Sequence, residues 1–153
     1  MAAEPDAWNC AVRILSRREL SEGVLRQRLQ RKGFDQEQID QAVVRCRNYG
    51  YVNDERYARL RARQLLSAGR AVGPALLADL KQQRIGEAVA HRAIAALEEE
   101  FNQTEVLRTL CQRRFPDFDF QTADDRTRRR VFNYLGRRGF APSALFQYFT
   151  EER

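Results

Sequence analysis

Leu25, Leu29, Phe34 and Val43 recur as Leu76, Leu80, Ile85 and Ile94, each 51 residues later, and again as Val131, Leu135, Phe140 and Phe149, each a further 55 residues on. Four apolar positions that keep their spacing through two steps mean that one supersecondary unit is used three times. Within the first copy, Val24, Leu25 and Leu29 share one helical face, and Gly33 stands where a left-handed residue would end that helix. Asp35 with Gln38 then offers an N-cap and capping box for a helix whose stripe is Ile39 and Val43. In the second copy Pro74 suits a first helical position, Leu76, Leu77 and Leu80 form the stripe, and Val89, Ala93, Ile94 and Leu97 follow.

Each copy therefore reads as three helices, the second of them ending near Gly33, Arg84 or Gly139. No segment alternates as a strand would. The expected fold is all-α: three tandem three-helix repeats over residues 1–52, 53–101 and 102–153. A unit of this size has little core of its own, so the repeats should pack in series into an elongated, curved array with a concave binding face. Leu15 maps onto Leu66 by the 51-residue step, but the third copy has Gln121 in that place. The longer second offset is assigned to an extended connection around the segment FPDFDFQT, peculiar to the third repeat.

Hydrophobic residues make up 43% of the 153 and charged residues 31%, enough for a core under a heavily solvated exterior. No apolar run approaches the roughly 20 residues needed to span a bilayer, and the opening MAAEPDAWNC lacks the basic and apolar regions of a signal peptide. A cytoplasmic protein with no membrane partner is expected. Cys10, Cys46 and Cys111 are an odd number, far apart, without a Cys-x-x-Cys pair, and are expected as reduced thiols. Cys46, on an apolar helical side, reads as a small buried hydrophobe, with a redox role as the lesser alternative.

The net charge is +6, and only Lys32 and Lys81 are lysines among 27 basic residues. The planar guanidinium pairs with phosphate or carboxylate through two parallel hydrogen bonds and stacks on flat groups. A GC-rich genome would also raise arginine, so position says more than the total. Residues 12–72 carry 14 basic and 7 acidic side chains, residues 73–125 carry 6 and 10, and residues 126–140 carry 6 arginines and no acid. Such segmentation suits a partner with patches of both signs, as a protein filament wrapped on nucleic acid would present, better than bare DNA. A solvated helical surface is the plainer alternative.

Catalytic chemistry finds little footing. His91, the only histidine, has no cysteine or second histidine to complete a metal site. Ser16, Ser21, Ser67 and Ser143 sit where helix-cap or surface serines belong. The segment from Gly69 to Pro74 lacks the Gly-Lys-Ser/Thr ending of a phosphate-binding loop. Glu98, Glu99 and Glu100 lack the spaced oxygen ligands of a calcium loop. No catalytic residue, metal or cofactor is expected.

The run Tyr51-Val52-Asn53-Asp54-Glu55-Arg56-Tyr57-Ala58 resembles the signature of RecX proteins. The basic helix, the turn Arg70-Ala71-Val72-Gly73-Pro74 and the Leu-rich helix after it follow with the family's spacing, so the resemblance covers nearly the whole chain. Arg31-Lys32-Gly33-Phe34 and Arg137-Arg138-Gly139-Phe140 resemble the family in the same repeat register. Two departures stand out: Arg84 where a glycine is expected, and Asn53 where an acid is commoner. Taken as residues, the signature is structural, with Asn53 or Asp54 capping the next helix, and Tyr57 beside Ala58 packing into the second repeat's core.

The resemblance implies a monomeric protein that binds the RecA filament on DNA along its groove, alters ATP hydrolysis and strand exchange, and blocks extension or promotes disassembly. It implies no enzyme activity of its own and, secondarily, weak direct binding to single- or double-stranded DNA. The arginines nominated for that surface are Arg59, Arg61, Arg63 and Arg70 in the middle repeat and Arg126, Arg128, Arg129, Arg130, Arg137 and Arg138 in the last. The alternative is a stand-alone helix-turn-helix-like DNA-binding protein, in which a helix enters a major groove. A hydrolase or nuclease would need a carboxylate cluster that the chain does not display.

Overall fold

The computed structural model describes residues 6–151. Among them the chain forms nine helices and no strand: α1 (Ala7–Arg17), α2 (Glu22–Arg31), α3 (Gln36–Asn48), α4 (Asp54–Ser67), α5 (Gly73–Gln82), α6 (Glu87–Glu98), α7 (Gln103–Arg114), α8 (Asp125–Arg137) and α9 (Pro142–Glu151). None of the described helices is long and apolar enough to cross a membrane.

The repeat seen in the residues is carried by the backbone. α2, α5 and α8 end at Arg31, Gln82 and Arg137, and α3, α6 and α9 begin at Gln36, Glu87 and Pro142, so both boundaries move by 51 and then 55 residues. Two residues past each first boundary the chain turns left-handed, at Gly33 (φ 95°), Arg84 (φ 60°) and Gly139 (φ 104°). α4 and α7, in contrast, end at Ser67 and Arg114, only 47 residues apart. The eight-residue difference falls between α7 and α8, where the expected extended connection lies. Gln121 belongs to that connection and to no helix, which is why it fails to match Leu66.

Short side-chain acceptors start the helices by satisfying N–H groups that have no intrahelical partner. Asp6 accepts from Asn9 N–H at 2.7 Å, Ser21 from Val24 N–H at 3.2 Å and Asp124 from Thr127 N–H at 2.7 Å. The capping box of α3 forms in full, with Asp35 Oδ1 accepting from Gln38 N–H at 2.8 Å and Gln38 Oε1 accepting from Asp35 N–H at 2.9 Å. α5 begins one residue before Pro74; Gly73 has φ 48°, so Pro74 is the first residue able to hold right-handed helical dihedrals.

Two compact units are present, one of Met1–Leu60 with Leu80–Ala93, the other of Arg61–Asp79 with Ile94–Arg153. Helices from residues 53–101 contribute to both. In the first unit Leu25, Leu29, Ile39, Val43 and Cys46 are buried with Ala11 and Val52, and Trp8, Ile14, Leu15 and Phe34 pack on this core from its edge. Burial pushes the Cys46 thiol up, as expected of a small hydrophobe that keeps its proton. No cysteine in this structure forms a disulfide.

The departure at Arg84 has a structural counterpart in this unit. A non-glycine residue in the left-handed region costs about 1–2 kcal/mol, and the neighbouring chain accommodates its side chain. A Cβ on Gly23 would lie 2.6 Å from Arg84 Cβ, so the glycine required at this contact is on α2. Beside it the buried Ser21 hydroxyl donates to the Gln83 carbonyl, tying the α5–α6 turn to the start of α2.

The second unit buries Leu76, Leu97, Leu107, Leu110, Val131, Leu135, Phe140 and Leu145. Val72 N–H donates to the Arg138 carbonyl at 2.7 Å, joining the α4–α5 link to the end of α8. A Cβ on Gly139 would overlap the Val72 carbonyl oxygen, so the glycine there serves both a positive φ and a close backbone approach. The α7–α8 connection closes over α8 and α9 through rings: Phe120 stacks on Phe132 and Phe149, and Phe118 meets Phe149 edge-on at 5.2 Å.

Candidate arginine-rich binding surface

The described residues hold no group of three or more His, Cys, Asp or Glu side chains that could bind a metal ion. His91 is exposed on α6 with Glu87 Oε1 3.7 Å from its Nε2, one turn away, and the same oxygen lies 3.5 Å from Lys81 Nζ, a surface ion cluster. The signature residues are built into the first unit. Asn53 Oδ1 accepts from Arg56 N–H at 3.0 Å and so caps α4. Asp54 Oδ1 accepts from Glu22 N–H at 2.8 Å, joining the starts of α2 and α4, and burial holds its carboxyl above the usual range. Tyr57 is buried with its hydroxyl 3.3 Å from Gln83 Oε1, and Ala58 is fully enclosed.

The nominated arginines divide sharply by what they touch. Arg61 is half-buried and grips Asp79 through two parallel bonds, Nε to Oδ1 at 2.8 Å and Nη2 to Oδ2 at 2.9 Å. That geometry is an internal brace between α4 and α5. Arg63 is exposed and paired with Glu100 at 2.7 Å, while Arg59 and Arg70 are exposed at the start and beyond the end of the same stretch. Arg128 donates to the Phe120 carbonyl at 2.8 Å and lies 4.7 Å over the Phe120 ring, so it pins the α7–α8 connection. Arg138 stacks 3.8 Å over Tyr134, and its Nε is buried without a partner.

Arg126, Arg129, Arg130 and Arg137 are exposed on α8, and the steps of three, four and seven residues between them keep them on one face. Val131 and Leu135 hold the opposite face in the core. No carboxylate among the described residues forms an ion pair with any of the four; Asp124, the N-cap of α8, is the acid whose charge Arg130 feels. Unpaired guanidinium groups keep their forks available to an anion from outside. The two nominated sets thus differ: α8 presents a free cationic face, whereas α4 has committed Arg61 and Arg63 internally.

A second basic region lies in the first unit, among residues not nominated from the sequence. Arg13 and Arg17 of α1, Arg18 just past its end, Arg28 and Arg31 of α2 and Lys32 just past its end line a cleft of about 650 Å³ together with Cys10 and Ile14. None of its eight lining residues is acidic. The signal was present in the helical spacing of Arg13 with Arg17 and Arg28 with Arg31. Convergence of the two pairs, however, depends on how α1 packs on α2, which spacing alone does not encode.

Comparison with known proteins places this architecture. The description "RecX, first three-helix domain" matches residues 7–46, which correspond to α1–α3. A curated protein named Regulatory protein RecX from Syntrophotalea carbinolica is 71% identical over 153 residues, covering 100% of both chains. Regulatory protein RecX from Trichlorobacter lovleyi is 32% identical over 146 residues, 95% of each chain. Among solved structures, RecX from Lactobacillus salivarius superimposes with a TM-score of 0.77 at 16% identity, over 95% of this chain and 93% of that one. A crystal structure of regulatory protein RecX gives 0.78 at 20% identity, over 95% and 72%. With a full-length relative at 71% identity and the same helical fold in solved members, the chain belongs to the RecX family.

Proposed function

We propose that this protein regulates the RecA recombinase by binding its filament on DNA, lowering ATP hydrolysis and strand exchange and limiting filament extension. The observation that carries the reading is the unpaired arginine face of α8, formed by Arg126, Arg129, Arg130 and Arg137. Cationic side chains that already hold an internal carboxylate have little left to offer a partner, and these four hold none among the described residues. Family membership supports a regulator rather than an enzyme. The three repeats, residues 1–52, 53–101 and 102–153, are taken as the binding modules of a monomer that acts in the cytoplasm, where the filament forms, without metal or cofactor.

RecA ATPase on single-stranded DNA, measured while this protein is titrated, tests the proposal, with binding to the same DNA alone recorded at the same salt. ATPase should fall to a plateau at protein concentrations where free DNA is still largely unbound. Unchanged ATPase at saturation would refute it. A stand-alone DNA binder would instead bind free DNA in parallel with any effect, with a log-log salt slope of roughly −0.7 to −0.9 per phosphate contact.

A further inference from the structure

The α1–α2 cleft gathers six cationic side chains in one concavity, and its chemistry differs from that of the α8 face. Six cationic side chains line it, and none of the six makes an ion pair among the described residues. Part of the excess answers the helices themselves, because Arg17, Arg18, Arg31 and Lys32 lie at the C-terminal ends of α1 and α2. Two helix C-termini contribute roughly one negative charge between them, so about five positive charges remain unanswered. Arg26, Arg47 and Arg56 in the same unit each have a carboxylate partner, which the six cleft residues lack among the described residues.

We infer that the cleft binds an acidic peptide segment of a partner protein, its carboxylates held by the arginine forks and an apolar side chain seated on Ile14 and Cys10. The shape argues for a peptide. A cleft of about 650 Å³ is within the range of ligand pockets, and it is concave, whereas a nucleic-acid duplex is convex and is read by elements that project into its grooves. Sites that take single strands combine a basic groove with aromatic side chains for the bases, and no aromatic residue lines this cleft. The exposed rings of this unit, Tyr49 and Tyr51, stack instead on each other and on Trp8. Arginine clusters with a small apolar contact are a recurrent way of reading acidic motifs. The inference does not rest on the RecA proposal, since the cleft would take such a segment whatever protein carries it.

Fluorescence anisotropy of a labelled glutamate-rich peptide with one central leucine, on the full chain at low salt, provides the test. Arg13→Glu, Arg17→Glu and Arg31→Glu together should weaken binding at least about tenfold, a loss of 1.4 kcal/mol or more. Arg126→Glu, Arg129→Glu and Arg130→Glu, an equal change in net charge, should leave it within about threefold. Helical content and urea midpoint report folding, and an Arg13→Gln, Arg17→Gln pair gives a milder second variant that should show the same ranking. Replacing the peptide's leucine by glycine should weaken binding to the native protein.

Equal losses from both charge-reversed sets would overturn the inference, leaving only non-specific attraction. Failure of the native protein to bind the peptide would also overturn it. So would loss of oligothymidylate binding in the cleft variant with peptide binding retained, which would make the cleft a nucleic-acid site. Peptide binding through the cleft by a protein that leaves RecA ATPase untouched would uphold this inference while refuting the proposed function.

Discussion

Substituting Ala at Gly33 and at Gly139 applies one chemical change to two equivalent turns with different surroundings. Both glycines have positive φ, 95° and 104°, so each alanine carries about 1–2 kcal/mol of left-handed strain. At Gly33 nothing lies within 4 Å of the new methyl, and the cost stops there. At Gly139 the methyl would overlap the Val72 carbonyl oxygen, with Val72 C at 2.9 Å and Ala75 Cβ at 3.1 Å. Relief requires moving the α4–α5 link, which is held by the Val72 N–H bond to the Arg138 carbonyl. Overpacking against such a neighbour adds about 1–3 kcal/mol.

Gly139→Ala should therefore cost about 2–5 kcal/mol against about 1–2 for Gly33→Ala. Urea unfolding followed by circular dichroism would read this as a midpoint lowered by about 1–2.5 M against about 0.5–1 M, for a slope near 2 kcal/mol/M. Equal midpoints for the two variants would show that the close approach of the two backbone segments does not exist in solution. Arg84→Gly completes the comparison: removing the left-handed non-glycine residue should not lower the midpoint, although it takes away a long side chain.

Arg61→Ala, which leaves Asp79 without its two-bonded partner, should lower stability by about 1.5–3 kcal/mol, whereas exposed Arg59→Ala should change it by under about 0.5 in the same urea assay. Asp54 has its carboxyl raised by burial, so the folded state binds its proton more tightly than the unfolded chain does, and stability from this group falls as pH rises above about 4. Asp54→Asn removes that loss, so its urea midpoint relative to native should improve between pH 4 and pH 7; a constant difference would contradict the assignment. The Cys111 thiol, pushed up to about 11 by burial, should resist an aromatic disulfide reagent at pH 8 in the native protein and react at once in urea.

The repeat was legible because core positions and turns share one register, and a helix cannot slip without carrying Leu25, Leu76 or Val131 out of the core. Arg84 shows what composition hides. The left-handed turn persists where the sequence lacks its usual glycine, because contacts with Gly23 and the Ser21 bond hold the chain there. The nominated arginines were chosen by clustering along the chain, which does not distinguish Arg61, braced on Asp79, from Arg126, facing outward. Arg128 looked like part of a basic run and serves to fasten the inserted connection instead. The α1–α2 cleft escaped notice because its members come from two helices whose packing brings together charges that are up to 19 residues apart in the sequence.

RecA ATPase on single-stranded DNA with the native protein, and with a variant carrying Arg126→Gln, Arg129→Gln, Arg130→Gln and Arg137→Gln, joins the function to the surface in one experiment. These side chains face away from the core, so the variant should keep its helical content and urea midpoint. The native protein is predicted to depress the ATPase and the variant to need at least about tenfold more protein for the same effect. An ATPase indifferent to the native protein at saturation, or depressed equally by both, would contradict the account.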